Sequence, residues 1–108
     1  MSKDLFIGRL CDAYGALLTQ NRREILRDYY DDDLSLAEIA ENRGITRQAA
    51  LCSIKQGEKQ LRLYEDTLHV VEGADKLDAD IAEALSLIDN DADGAKRILT
   101  RILTEPDR

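Results

Sequence analysis

The side chains that could do acid–base or metal chemistry are few and widely separated. His69 is the only histidine, and Cys11 and Cys52 are the only cysteines. A protein metal site needs several ligands at characteristic spacing, and a catalytic nucleophile needs a base within reach. The sequence also lacks a glycine-rich phosphate-binding loop. We therefore predict a protein that is not an enzyme, binds no metal and uses no cofactor.

One acidic segment resembles part of a calcium site. Residues 89–94 alternate Asp with other residues as the first half of an EF-hand loop does. Counting from Asp89, however, the ninth position is Arg97 and the twelfth, which needs a bidentate Glu, is Thr100. We interpret the segment as the acidic start of the last helix, capped by Asp91 or Asp93.

The third group of residues that could have a chemical function is a basic segment in an acidic chain. The net charge is −7, yet residues 42–63 contain five cations and one carboxylate, Glu58. An acidic protein is not expected to bind nucleic acid over its whole surface, but a local contact through this segment is feasible. The alternative is a solvated helix face, in which Glu58 and Arg62 form an i,i+4 pair. The cations are Arg43, Arg47, Lys55, Lys59 and Arg62.

These residues lie in a predicted helix-turn-helix. Ser35 followed by Glu38 is a capping box, and Gly44 suits the left-handed residue that ends a helix. Thr46 caps the following helix. A short capped helix, a glycine turn and a second capped helix form a helix-turn-helix over residues 35–62, with the second helix presented to the major groove. An αα-hairpin used only for packing remains the alternative.

The buried stripe of the second helix determines which residues face outwards. If Ala50, Ile54, Gly57 and Leu61 are buried, the opposite face combines cations, one amide and two apolar side chains. Gln48 has the donor–acceptor pair that reads adenine, Arg47 and Lys55 can reach guanine or phosphate, and Leu51 can touch a thymine methyl or a protein. We predict that nucleic-acid or partner contacts are made by Arg43, Arg47, Gln48, Leu51, Cys52, Lys55, Lys59 and Arg62.

The rest of the chain reads as helix. Apolar residues recur at three- and four-residue spacing, and no period-two alternation is present, so the fold class is all-α. Thr19 caps a second helix that stops at residues 31–33, and the long fourth helix, with Leu68 on its buried stripe, continues to Glu72 and stops at Gly73. Asp75 caps a fifth helix that faces inwards with Leu77, Ile81, Ala84, Leu85 and Ile88.

We accordingly predict two parts. Residues 1–73 form the helix-turn-helix domain with its long fourth helix, and residues 74–108 form an acidic helical segment that packs on it or extends it. No apolar run approaches the roughly 20 residues that a membrane helix needs, so no membrane insertion is expected. The start of the chain does not show a signal-peptide pattern. We expect a cytoplasmic protein with both cysteines reduced.

Several strings resemble the bacterial YlxM family. They are YGALLT at residues 14–19, YYDDDLSLAEIAE at residues 29–41 and ITRQA at residues 45–49, and the match covers about residues 5–70. The central LSLAEIA string is also similar to region 4 of bacterial sigma factors, with which the family shares its helix-turn-helix.

The resemblance implies a small, cytoplasmic, non-enzymatic regulatory protein linked to the signal recognition particle pathway. It places Arg47, Gln48, Leu51 and Lys55 at the reading-helix positions of the sigma-like motif. The expected partner is a protein or RNA component of the particle, or else DNA. The chain could also form a homodimer. The alternative functions are a DNA-binding transcription regulator of sigma region 4 type and a protein-only interaction module.

Overall fold

The computed structural model describes residues 3–105, which form six α-helices and one turn of 3-10 helix. Within that range there is no β-strand, and the predicted all-α class is confirmed. The chain divides into two compact units, of which the first ends at His69 and the second begins at Val70. The helices of the first unit are α1 (Leu5–Tyr14), α2 (Gln20–Tyr30), α3 (Leu36–Arg43) and α4 (Arg47–Leu68).

Side chains cap the helices of the first unit where the sequence predicts caps. Thr19 begins α2 by accepting a hydrogen bond from the Arg22 amide. α2 ends at the run of three carboxylates, residues 31–33, because negative charge is unfavourable at a helix C-terminus. Ser35 and Glu38 form the reciprocal capping box of α3, with bonds of 3.1 and 3.0 Å.

The helix-turn-helix is formed by α3, a short turn and α4. Gly44 adopts a φ of 65° at the end of α3, which is the left-handed conformation that glycine tolerates best. Two residues later, the Thr46 side chain accepts a hydrogen bond from the Ala49 amide at 3.0 Å and begins α4. The first helix of the motif therefore begins and ends at the predicted residues, and the second helix begins at the predicted residue.

α4 is the central helix of the first unit, and α1, α2 and α3 all contact it. Its predicted stripe of Ala50, Ile54, Gly57 and Leu61 is buried throughout. Leu68, predicted on the same stripe, is exposed instead. That part of the prediction was wrong because the stripe ends one turn earlier, before the helix terminates.

The small residue in the middle of this stripe allows α2 to approach closely. A Cβ built on Gly57 would lie 2.7 Å from Leu26 Cδ1 and 3.3 Å from Arg22 Cδ. Beside this contact, the Arg22 guanidinium donates hydrogen bonds of 2.8 Å to the side-chain oxygens of Gln56 and Gln60. The glycine costs helix propensity, but it permits α2 to pack against the α4 backbone.

The end of α4 differs from the sequence prediction. His69 takes a left-handed φ of 55°, and its amide donates to the Glu65 carbonyl at 2.8 Å. A non-glycine residue therefore stops the helix, although the sequence pointed to Gly73. Gly73 and Asp75 lie inside the next helix, so the predicted stop and cap there were wrong. The compact units divide after His69, whereas the sequence predicts a division after residue 73.

The second unit is an antiparallel helical hairpin of α5 (Val70–Leu87) and α6 (Ala92–Thr104). Asp91 begins α6 by accepting a hydrogen bond from the Gly94 amide at 2.9 Å. Arg101 of α6 pairs with Asp80 of α5 at 3.2 Å and so joins the two helices. Ala84 is buried as predicted, but three other residues predicted to face inwards were wrongly assigned and are exposed: Ile81, Leu85 and Ile88.

The close approach at Gly57 gives a stability prediction. Gly57→Ala should unfold more easily than Gly8→Ala by about 1–3 kcal/mol, because the new methyl overpacks against Leu26. Gly8 is the matched control, since a Cβ there would meet nothing within 4 Å. Urea denaturation of both variants measures the difference. Equal free energies of unfolding would show that α2 and α4 are further apart.

Candidate nucleic-acid interface

The exposed side of α4 is set by its buried stripe. In the first half of the helix, Arg47, Gln48, Cys52 and Lys55 are exposed, and Leu51 is half-buried. Lys59 continues the same face one turn beyond Lys55 and is also exposed. The structure thus places most of the predicted contact residues together on one surface.

Arg43 is an exception, because it joins α3 to α2. Its Nε donates to Asp28 Oδ2 at 2.6 Å, and its Nη1 lies 3.3 Å from Glu24 Oε2. The hydrogen bond with Asp28 raises the pKa of the Arg43 guanidinium, and the nearby carboxylate charges act in the same direction. Two neighbouring carboxylates offset the positive charge of the guanidinium, so it attracts a phosphate only weakly. Arg43 is therefore a structural residue of the motif.

Arg62 is also paired. Its Nη2 lies 3.1 Å from Asp4 Oδ2, and both side chains are about half exposed. Asp4 simultaneously caps α1 through the Phe6 amide. This ion pair links the second half of α4 to the start of α1, so Arg62 carries less net field than the cations nearer the turn.

The remaining cations of this surface are unpaired with any residue in the range 3–105. Arg47, Lys55 and Lys59 have no carboxylate of that range within ion-pair distance. From Arg47 to Lys59 the helix rises by about 18 Å, close to half a turn of duplex. We name Arg47, Gln48, Lys55 and Lys59 the basic face of α4.

Two residues of the basic face, Arg47 and Gln48, lie in the first turn of α4, where the helix N-terminus adds to the positive field. The first amides of an α-helix lack intrahelical acceptors and carry the positive end of the macrodipole. Thr46 satisfies one of these amides, at Ala49, and the turns that follow present Arg47 and Gln48. Farther along α4 the field weakens, because Glu58 and Asp66 lie beside the cations there.

Glu58 itself is held by a hydrogen bond from another helix. The Tyr30 hydroxyl, at the end of α2, donates to Glu58 Oε1. Burial raises the pKa of Tyr30, and the hydrogen bond and charge of Glu58 raise it further, so the hydroxyl keeps its proton. This contact holds the middle of α4 to the end of α2.

The two cysteines differ in environment. Cys52 is exposed beside the basic face, and the Gln56 side-chain amide lies 3.5 Å from its sulfur. Cys11 is half-buried, and burial together with the carboxylates of Asp31, Asp12 and Glu58 raises the pKa of its thiol to about 11. A raised pKa keeps the thiol protonated at neutral pH, so Cys11 is poorly nucleophilic.

The described part of the chain contains no group of three His, Cys, Asp or Glu side chains placed to hold a metal ion. In the EF-hand-like segment, Asp91 Oδ1 accepts from the Gly94 amide and acts as the α6 cap. No helix between residues 3 and 105 is long and apolar enough to cross a membrane.

Sequence reasoning missed the partners of Arg43 and Arg62. Asp28 and Asp4 are 15 and 58 residues away from the arginines that they bind. Local spacing cannot reveal such pairs, because they form only when α1, α2 and α3 pack around α4. The sequence contains one indication of the Arg43 contact: Glu24 and Asp28 are spaced at i,i+4, so both carboxylates lie on the same side of α2 and can hold one cation.

The chain is similar to several known proteins. A family model described as "Putative helix-turn-helix protein, YlxM / p13 like" matches residues 1–100. A UPF0122 protein of Desulforamulus reducens is 36% identical over 105 residues, covering 90% of each chain. A UPF0122 protein of Clostridium acetobutylicum is 44% identical over 72 residues, which is 67% of this chain and 62% of the relative.

The contrast between the thiols gives a prediction at the candidate interface. With an aromatic disulfide reagent at mildly alkaline pH, Cys52 should react quickly and Cys11 at least about tenfold more slowly, because little of Cys11 is thiolate. Cys52→Ser should remove the fast phase, and the slow phase should accelerate towards pH 11. Two thiols that react at the same rate would contradict the burial of Cys11.

Proposed function

The chain belongs to the family of YlxM / p13-like helix-turn-helix proteins, and we propose that it is a non-enzymatic regulator that contacts nucleic acid in the signal recognition particle pathway. The basic face of α4 is the proposed contact surface. The pathway assignment is supported by the resemblance of residues 5–70 to the YlxM family and implies a cytoplasmic protein.

The observation that carries the proposal is the presence of cations without an ion-pair partner between the start and the middle of the second helix of a helix-turn-helix. Arg47, Lys55 and Lys59 have no ion-pair partner in the described chain, while Arg43 and Arg62 do. In an acidic protein, cations that stabilise nothing internally favour an external anion as their partner. In helix-turn-helix proteins that bind DNA, side chains of the second helix reach the bases and the phosphate backbone, which supports a phosphate as that anion.

The contacts are proposed to be mainly with phosphates. Gln48 is the one side chain of the basic face with an amide suited to a base edge, and Leu51 is half-buried. Phosphate contacts carry affinity but little sequence information. A surface of this composition suits a structured RNA or a duplex that is already selected by other components of a complex.

A promoter-binding regulator of sigma region 4 type is the second candidate. The observation in its favour is the exposed position of Gln48 within the first turn of α4, where base contacts are made in this motif. The two candidate functions differ in the contacts that supply the binding energy. In the first, contacts with phosphates dominate and do not depend on sequence, whereas in the second, contacts with base edges also contribute.

Charge reversal on the basic face tests nucleic-acid contact. Binding of duplex DNA and of a structured RNA should fall steeply with salt, with a log–log slope of about −3 for three phosphate contacts on duplex. Arg47→Glu with Lys55→Glu should weaken binding to every sequence and reduce the slope by about 2. Labelled-ligand titrations at several salt concentrations measure both quantities.

The matched control is Arg23→Glu with Arg27→Glu, which makes the same change in net charge. Both residues are exposed on α2, and α2 is not part of the helix-turn-helix. This variant should keep most of the affinity. Equal losses in the two double variants would show a response to net charge alone, and no binding of the wild type at low salt would contradict the proposal.

Single substitutions on the basic face distinguish phosphate contacts from contacts with base edges. Gln48→Ala should change affinity little if phosphates dominate, but it should relax preference at one base position by about 1–3 kcal/mol if bases are read. Loss of one defined DNA site in Gln48→Ala alone would favour the promoter-binding candidate.

Leu51→Asp tests a protein partner instead. If the half-buried leucine docks on a protein, a carboxylate there is desolvated without a partner, and binding of that protein should collapse. We expect Leu51→Asp and the double reversal to impair binding together. Thermal unfolding of the variant is the control for a folding defect.

The pathway assignment has a separate experiment. The protein is isolated from native cytosol with and without nuclease, and the co-purifying RNA, DNA and proteins are identified. We expect components of the signal recognition particle, with reduced recovery for the Arg47→Glu, Lys55→Glu variant. Recovery of promoter DNA with RNA polymerase, and of no particle component, would contradict the assignment.

A further inference from the structure

The hairpin of α5 and α6 exposes large apolar side chains in a regular pattern. On α5, Ile81 and Leu85 are spaced at i and i+4, and Ile88 is the first residue after the helix. All three are exposed, with Leu85 at 69%. On α6, Leu99 and Leu103 are exposed at i and i+4, with Leu103 at 86%. Such spacing places each set on one side of its helix.

The two sets lie on the same side of the hairpin. Ala84 and Ala95 are buried and mark the sides on which the two helices meet. Each helical residue advances by about 100°, so Ile81 and Leu85 lie about 60–100° beyond Ala84 on α5, and Leu99 and Leu103 lie about 40–80° beyond Ala95 on α6. Because the helices are antiparallel, the same sense of rotation leads to the same side. We name Ile81, Leu85, Ile88, Leu99 and Leu103 the apolar face of the hairpin.

The second unit buries few side chains of its own. Its buried residues are Val71, Ala84, Gly94 and Ala95, none of which is large. A helical segment of fewer than 40 residues usually needs a partner, a metal or disulfides for a stable core. An uncovered face of five large aliphatic residues is characteristic of an interaction surface.

The charges that flank the apolar face are divided between the helices. α5 carries five carboxylates and one lysine, whereas α6 carries three cations and one carboxylate. Asp78 lies at the outer edge of the face on α5, and Lys96 lies at the outer edge on α6. A surface with one acidic and one basic side is complementary to a copy of itself turned by 180°.

We propose that the apolar face pairs with the same face of a second copy of this chain. The two-fold axis runs along the hairpin, so that α5 of one protomer lies against α6 of its partner. This arrangement buries the aliphatic residues in a four-helix bundle with antiparallel neighbours and brings opposite charges together. The alternative axis would place acidic α5 against acidic α5, which is unfavourable.

The acidic side also argues against a lipid surface as the occupant. A helix that lies on an anionic membrane has cations on its polar side, whereas the polar residues of α5 are mostly carboxylates. The pairing is independent of the proposed function, because it uses no residue of the basic face.

Sedimentation equilibrium of the full chain from micromolar to hundred-micromolar concentration tests the pairing. The wild type should reach a mass of about twice 12.2 kDa. Leu85→Glu should raise the dimer dissociation constant on the order of a hundredfold or more, because a carboxylate is desolvated without a partner. Leu63→Glu is the matched control, since Leu63 is 63% exposed but belongs to α4, and it should remain dimeric.

A wild type that is monomeric at every concentration would overturn the proposal, as would equal effects of Leu85→Glu and Leu63→Glu. If Leu85→Glu fails to fold by circular dichroism, Ile81→Gln replaces it, with the same expected direction.

The orientation of the two copies has its own test, because Lys96→Glu should weaken the dimer by roughly threefold to tenfold when α6 faces α5. Unchanged affinity in that variant would overturn the proposed axis.

Discussion

The packing of α4 against three other helices is the constraint on which the first unit depends. Its stripe of Ala50, Ile54, Gly57 and Leu61 is narrow and contains two small residues, so the neighbouring helices approach its backbone. The contact between Gly57 and Leu26 fixes the rotation of α4 about its axis, because any other rotation would push a larger side chain into α2. The opposite face of α4 is thereby held towards solvent.

A second interaction holds the far half of the same helix. Glu65 is buried, and its carboxylate accepts a hydrogen bond from the Tyr14 hydroxyl at the end of α1. A buried carboxylate without its donors would be strongly unfavourable, so this pair specifies how α1 docks. The Arg43–Asp28 and Arg62–Asp4 ion pairs likewise join helices of the unit. The cations of the basic face of α4, by contrast, form no ion pair with any residue in the range 3–105.

The parts of the fold that depend on local chemistry were predictable from the sequence. Thr19, Ser35 and Thr46 cap the helices that they were expected to cap, because a cap needs only residues within one turn. Gly44 ends α3 for the same reason. The end of α4 at His69 was not predicted, because nothing in the local sequence indicates that a histidine adopts the left-handed conformation four residues before Gly73.

Tertiary contacts were the limit of prediction for the site and for the second unit. The sequence assigned Arg43 to the contact surface, and only the packing of α3 on α2 places it against Asp28. Likewise, Ile81 and Leu85 have the periodicity of core residues, yet they are exposed in the chain. Periodicity identifies an apolar stripe but does not say whether the stripe is covered by the same chain or by another molecule.

Backbone amide NMR during a titration determines whether nucleic acid binds the exposed side of α4, on which the proposed function depends. With a short duplex or a hairpin RNA at low salt, we expect shift changes that saturate together and cluster on residues 46–59. These changes should diminish as salt is added, since the contacts are with phosphates. Changes confined to the outer side of α2, or to residues 70–105 with none in α4, would contradict the proposed function.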